Sequence, residues 1–305
     1  MTTILFFEQL LNGIQFGTML FLMSAGLTLI FGVMGLINLA HGSFYMIGAF
    51  CAALVAGVTG SFWLALGASL CGAAIAGVLI EIFIIRRLYR RDHLDQVLAT
   101  FALILLLSEG VRWYFGAFPL YLTIPESLNG TVPLFNEIIY SKYRLFIILM
   151  GLLIAVGLYF LITKTRLGIR IRAGQNDREM ISALGVDISK LYTVVFALGA
   201  ALAGLSGAMI GAIQSVEVGM GEPILILAFV VIVIGGIGSI KGAFVGSILV
   251  GVTDTLGRVF LPDLLKVFMQ PAEATAIGSS IGTMLIYILM ALILIAKPSG
   301  LFGKS

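Results

Sequence analysis

Three polar side chains interrupt an apolar stretch near the start of the chain. Asn38, His41 and Ser43 belong to the segment Gly35-Leu-Ile-Asn-Leu-Ala-His-Gly-Ser43, which is punctuated by glycine. Amide, imidazole and hydroxyl groups at such a position can exchange hydrogen bonds with a small polar ligand. They can equally satisfy backbone groups that a helix break leaves without partners. The sequence supports both interpretations.

The residues needed for enzymatic chemistry do not occur in recognisable arrangements. The two histidines, His41 and His93, are too far apart for a zinc-protease helix motif, and the sequence contains no Gly-x-Ser-x-Gly motif or acidic metal cluster. The tail Gly300-Leu-Phe-Gly-Lys-Ser305 resembles the end of a phosphate-binding loop, but Pro298 stands where that motif requires glycine. We therefore expect no catalytic residue, no metal, no cofactor and no ATP hydrolysis by this chain.

A second polar segment, residues 164–190, has the pattern of a short capped helix. Asn176 can act as the N-cap, Glu179 completes a capping box three residues later, and Gly185 is a natural stop. A helix of about two turns is not stable alone, so it must dock, either in a cleft of a soluble partner or on lipid headgroups. Both surfaces fit the sequence. The residues assigned to this docking are Arg170, Arg172, Asn176, Glu179, Met180, Ile181, Leu184 and Gly185.

The overall composition places both segments in a membrane protein. Asp, Glu, Lys and Arg make up 11% of the 305 residues, whereas soluble domains carry about 25%. That leaves too few polar side chains to coat a water-soluble body. The net charge of +3 is small and dispersed, which argues against a nucleic-acid partner.

Continuous apolar windows predict an all-α integral membrane protein with about nine transmembrane helices. The windows approach the roughly 20 residues that cross a hydrocarbon core, and they do not alternate as barrel strands do. Two of them, 223–238 and 241–257, are short and glycine-broken, so half-helices or tilted spans are expected there. The alternative is eight spans, with one early segment only dipping into the membrane. The windows are 10–34, 38–58, 62–85, 96–115, 144–163, 190–213, 223–238, 241–257 and 277–296.

Basic residues predict the orientation of the spans, because cytoplasmic loops are enriched in Lys and Arg. In the nine-span topology, 13 of the 18 basic residues fall on one side if the N-terminus is outside and the C-terminus inside. The chain is then one transmembrane domain, residues 1–305, with an outer loop at 116–143 and a cytoplasmic loop at 164–190. We expect the outer loop to be a cap or docking surface and not a folded domain.

A weak internal sequence similarity links Gly35–Gly42 with Gly236–Gly242, each followed by a further glycine. Paired breaks of this kind occur in inverted-repeat transporters, where discontinuous helices meet the substrate. Chance similarity between glycine-rich helices explains this pattern equally well.

Four blocks, taken together, resemble the permease subunits of bacterial branched-chain amino acid ABC importers. They are Gly35–Gly48, the loop Thr165–Val186, Gly235–Ala243 and Pro298–Gly303, in family order over nearly the whole chain. The resemblance implies separate cytoplasmic ATPase subunits, a periplasmic binding protein and a second permease, homologous or identical, in the bacterial inner membrane. It also implies that the 176–185 helix couples to the ATPase, although the loop lacks the Glu-Ala-Ala triplet of other ABC importer permeases.

The substrate implied by the resemblance is a branched-chain or other apolar amino acid, whose ammonium and carboxylate still need polar contacts. Asn38, His41 and Ser43 are the candidates for lining its path. Relatives that carry urea or short amides look similar at these blocks, so a urea or short-amide permease is one alternative. A stand-alone secondary carrier is another, although a chain of ionisable groups through the spans is missing.

Overall fold

The computed structural model describes residues 3–89, 91–134 and 138–303. Within them the chain folds into a bundle of helices with one small hairpin. The helices are α1 (Thr3–Met34), α2 (His41–Thr59), α3 (Phe62–Ile80), α4 (Arg86–Leu88), α5 (His93–Phe115), α6 (Lys142–Lys164), α7 (Arg166–Asn176), α8 (Arg178–Ala183), α9 (Ile188–Gly211), α10 (Gly221–Gly235), α11 (Ile240–Leu265) and α12 (Pro271–Ala296). The strands are β1 (Thr131–Leu134) and β2 (Ile138–Ser141).

The predicted all-α membrane architecture is confirmed, with eight helices in the described residues long and apolar enough to cross a membrane. The ninth apolar helix is α10, whose 15 residues extend only about 22 Å. Because a hydrocarbon core is about 30 Å thick, α10 is too short to cross it alone. The short element is therefore α10 and not an early segment. The window 241–257 was wrongly expected to be short, since α11 has 26 residues.

A π-helical turn, Glu81–Ile85, joins α3 to α4 at the end of the third span. The buried Glu81 carboxylate accepts hydrogen bonds from Arg86 Nη2 at 2.9 Å, Tyr89 Oη at 2.7 Å and Thr193 Oγ1 at 2.7 Å. Glu81 thereby forms a salt bridge with Arg86, five residues later in the chain. Because Thr193 lies in α9, this network ties the end of α3 to the start of α9.

The loop between α5 and α6 contains a short β-hairpin that the sequence did not predict. In it, β1 and β2 pair antiparallel, with Val132 opposite Tyr140. Earlier in the loop, Leu120 forms an isolated bridge with Val216, which follows α9. The loop is thereby attached to the chain segment between α9 and α10.

Helices α1 and α9 form the buried centre of the bundle, and α2, α3, α10 and α11 pack around them. Helices α1 and α9 cross where Gly26 meets Gly199, and a Cβ built on Gly26 would lie 2.5 Å from the Gly199 carbonyl oxygen. Nearby, Ser206 Oγ donates a hydrogen bond to the Met19 carbonyl at 3.0 Å. Small residues thus allow close backbone approach where lipid gives no hydrophobic drive for association.

Candidate translocation site and coupling segment

The predicted break at 35–42 begins where α1 ends, at Gly35 with φ +65°. The chain then returns along α1, because His41 Nε2 lies 3.2 Å from the Met23 carbonyl oxygen. Met23 precedes the end of α1 at Met34 by about three turns. Helix α2 therefore begins deep inside the bundle and not at its surface.

Helix α10 begins beside α2 at this depth. A Cβ built on Gly42 would lie 2.6 Å from the Gly221 carbonyl oxygen, and a Cβ on Gly221 would lie 1.9 Å from the Gly42 carbonyl oxygen. Only glycine at both positions permits this backbone contact. The 35–42 break therefore packs against the segment 212–221.

The two helix starts also lack side-chain caps. Ala40 precedes α2 and Met220 precedes α10, and neither accepts a hydrogen bond from the helix through its side chain. Five other helices of the described chain, α3, α7, α8, α9 and α11, have a capping Ser, Thr or Asp. Helices α5, α6 and α12 also start without a side-chain cap, and Glu222 lies in the first turn of α10. A helix N-terminus carries a partial positive charge that favours an anionic group.

Two of the three predicted path residues have buried polar atoms without partners. The Asn38 side chain is fully buried, and neither its oxygen nor its nitrogen has a hydrogen-bond partner among the described residues. His41 is also fully buried and its Nδ1 has no partner there, while Ser43 is 5% exposed. Buried groups of this kind are costly unless a water or ligand satisfies them. All three side chains are closed off from solvent, and the His41 backbone N–H donates a hydrogen bond to the Asn38 carbonyl at 3.3 Å.

The cytoplasmic helix predicted at 176–185 is shorter and starts later than expected. It is α8, Arg178–Ala183, and its N-cap is Asp177, whose Oδ1 accepts a hydrogen bond from the Met180 N–H at 2.9 Å. The proposed capping box of Asn176 and Glu179 is therefore wrong, and Asn176 ends α7 instead. Asp and Asn are nearly equal as N-caps, so the residue types alone could not choose between neighbours.

The predicted stop is confirmed, because Gly185 adopts φ +85°, a left-handed conformation that favours glycine. Two residues later, Asp187 caps α9, and the hydrogen bond from the Lys190 N–H at 3.1 Å lowers the pKa of the Asp187 carboxyl. The connection from α8 to α9 is thus fixed by one glycine and one cap.

The apolar face of α8 is divided between two roles. Met180 and Leu184 are 60% and 76% exposed, whereas Ile181 is 6% exposed. The prediction that all three dock outward is therefore wrong for Ile181, which anchors α8 to its own permease. Of the polar residues assigned to this surface, Arg170, Asn176 and Glu179 are exposed. Arg172 is also exposed, and it donates a hydrogen bond to the Ile162 carbonyl of α6.

The start of α10 was not predicted from the sequence to be part of the central site. A signal was present, because Gln214, Ser215 and Glu217 form a polar interruption just before Gly219-Met-Gly221. This pattern resembles the break at 35–42. The pairing of the two breaks depends on tertiary contacts that no local pattern contains.

Comparison with known proteins gives a near full-length match. Residues 9–296 match the family described as branched-chain amino acid transport system / permease component. The permease protein BraD of Pseudomonas aeruginosa is 28% identical over 98% of this chain and 96% of its own length. LivH of Escherichia coli K12 is 27% identical with the same coverage. LivM of the same organism is 28% identical over 80% of this chain and 62% of its own length.

The names of these three relatives all describe permeases of high-affinity branched-chain amino acid transport systems. No solved structure matches the chain. The family match extends from α1 to the end of α12 and includes both the central helix breaks and the segment of α7 and α8. The chain therefore belongs to the family of branched-chain amino acid transport system permease components.

Proposed function

We propose that this chain is the permease of an ATP-driven importer that passes branched-chain or other apolar amino acids into the cytoplasm. The observation that carries the proposal is α8. It projects between two membrane spans and exposes Met180 and Leu184, side chains that a folded protein buries when a partner is present. A permease that hydrolyses no ATP itself needs such a contact to receive work from an ATPase.

The surface around α8 also contains a small cavity. A cavity of about 290 Å³ lies between α7 and the start of α9. Its walls include Arg170, Gly185 and Lys190, with apolar Leu167 and Val194 between them. An ATPase subunit that covers α8 would also reach this cavity. The partners that complete the proposal are two ATPase subunits, a second permease and a periplasmic binding protein.

The proposed substrate site is the meeting point of α2 and α10. The uncapped helix starts present N–H groups suited to a substrate carboxylate. The partnerless atoms of Asn38 and His41 can complete the polar contacts of the amino acid. The site is closed here, because Gly42 and Gly221 are in backbone contact. Transport then requires α2 and α10 to separate.

The proposed orientation places the N-terminus outside and α8 in the cytoplasm. Gly32 of α1 approaches both Gln175 and Gly238, and Gly236 approaches Gly303. The end of α1, the segment before α8, the α10–α11 turn and the tail therefore share one end of the bundle. A reporter fused after Lys190 should be cytoplasmic, and a label at Gly130 should be reachable from outside. Finding both on one side contradicts this topology.

Uptake by the reconstituted complex tests the function. The permease, its ATPases, the second permease and the binding protein are placed in vesicles and offered labelled leucine, valine, alanine and urea. We expect ATP-dependent uptake of leucine and valine, with urea not transported. Uptake of urea in preference to leucine would replace the proposal with the amide permease. Uptake without ATPase subunits would replace it with a secondary carrier.

A further inference from the structure

A cavity of about 700 Å³ opens between α1, α6, α7 and α11, away from the central site. Its interior is apolar and is formed by side chains from three of these helices. They include Phe21 and Leu29 of α1, Leu152 and Val156 of α6, and Phe244 of α11. A soluble polar ligand would gain little from such walls.

The rim of the cavity is cationic at the end that carries α7 and the α10–α11 turn. Lys241 and Arg172 line it together with Gln175 and Tyr159. Lys241 is exposed, and its Nζ lies 5.8 Å from the centre of the Tyr159 ring. No Asp or Glu is among the described residues that line the cavity, and Lys241 forms no salt bridge within them. The positive charge is therefore not balanced by the cavity itself.

The position of this rim matches the membrane–water interface. Tyr159 lies just over one turn before the end of α6, and Lys241 lies in the first turn of α11. Tyr and Lys are the residues that anchor spans at this level. The N-terminus of α11 adds a partial positive charge beside Lys241. An apolar groove thus opens into lipid below a cationic site at headgroup depth.

We propose that this groove binds an anionic phospholipid, with the acyl chain against α1 and α6 and the headgroup phosphate on Lys241 and Arg172. Charge complementarity selects the headgroup, and the apolar interior selects a membrane-embedded ligand over a free phosphate. The lipid would bridge α11 to α7, the helix that leads into α8.

The test measures phosphatidylglycerol bound to the purified full chain. The chain is placed in phosphatidylcholine nanodiscs with a small fraction of phosphatidylglycerol, and retained lipid is counted by native mass spectrometry. Lys241→Gln should lower the preference for phosphatidylglycerol about fivefold, since a basic residue near the surface contributes about 1 kcal/mol. Val156→Trp, which fills the groove at a residue that is 54% exposed, should lower retention of both lipids.

The matched control is Lys297→Gln, which removes a lysine at the same end of the bundle but outside the groove. It should leave the preference unchanged, and added glycerol phosphate should not displace the lipid. An equal loss in Lys297→Gln would overturn the proposal, as would displacement by glycerol phosphate. A disulfide between cysteines placed at Val156 in two copies would overturn it too, because a second permease would then cover the groove.

Discussion

The central helix breaks and the segment of α7 and α8 are built in opposite ways. At the centre, α2 and α10 start without side-chain caps, and Asn38 is fully buried with partnerless polar atoms. By contrast, α7 and α8 each start with a capping side chain, and it is apolar groups such as Leu184 that lack burial. The centre has buried polar atoms without hydrogen-bond partners among the described residues, whereas the segment of α7 and α8 has apolar side chains exposed on its surface.

This difference indicates what kind of partner each region binds. A buried polar group without a partner is satisfied by something small that brings hydrogen bonds, such as a substrate carboxylate or water. An exposed apolar side chain on a well-capped helix is satisfied by something large that brings surface, such as a protein subunit. In the proposed function, the central breaks receive the substrate and α8 receives the ATPase.

The largest expected effect is at the end of α8. Leu184→Asp should place an unpaired charge in the ATPase contact, which costs roughly 3–5 kcal/mol when a partner cannot compensate it. We expect the folded permease to be recovered without its ATPase after affinity purification. Val58→Asp is the control and should keep the ATPase, since Val58 is also exposed, at 80%, but lies near the end of α2. If Leu184→Asp keeps the ATPase and only detaches from lipid headgroups, the segment is a membrane-docking element.

A smaller loss is expected when the central contact is prevented from closing. Gly221→Ala would place a Cβ 1.9 Å from the Gly42 carbonyl oxygen, so the helices must shift at a cost of about 1–3 kcal/mol. Thermal stability and leucine uptake should both fall. Gly57→Ala is the matched control in α2, because a Cβ there meets nothing within 4 Å. It should leave uptake unchanged and stability equal or slightly higher, since Ala favours a helix over Gly. An equal fall in both variants would contradict the role assigned to the Gly42–Gly221 contact.

Replacing the buried polar side chains that lack partners should lower transport without lowering stability. Asn38→Leu deletes two buried polar atoms without partners, so stability should stay equal or rise by about 1–3 kcal/mol, while uptake falls. His41→Ala should also reduce uptake and leave ATPase assembly intact. Thr28→Val is the control, because Thr28 Oγ1 is likewise buried without a partner in the described part of the chain but lies in α1, outside the break. Full uptake by the Asn38 and His41 variants would assign both residues a structural role.

The same contrast explains how far the sequence could predict the structure. Apolar windows found every long span because length and hydropathy are local, and Gly185 was found because a left-handed stop favours one residue type. The exact cap at Asp177 was missed by one position. The pairing of Gly42 with Gly221 was missed entirely, because it joins positions far apart in the chain through backbone contact. What local chemistry determines was predicted, and what tertiary contact determines was not.

The smallest expected effect tests the corrected cap of α8. Asp177→Ala removes the acceptor of the Met180 N–H, a loss of about 1 kcal/mol for a typical N-cap. Since α8 has six residues, it has few other hydrogen bonds to hold its first turn, and its amides should exchange several-fold faster with deuterium. Asn176→Ala leaves the Asp177 carboxylate in place, so the Met180 amide should keep its wild-type exchange rate. Faster exchange in Asn176→Ala alone would restore the capping box predicted from the sequence. With the ATPase bound, protection of α8 should return in Asp177→Ala, because a partner that covers Leu184 would hold the helix that the cap no longer stabilises.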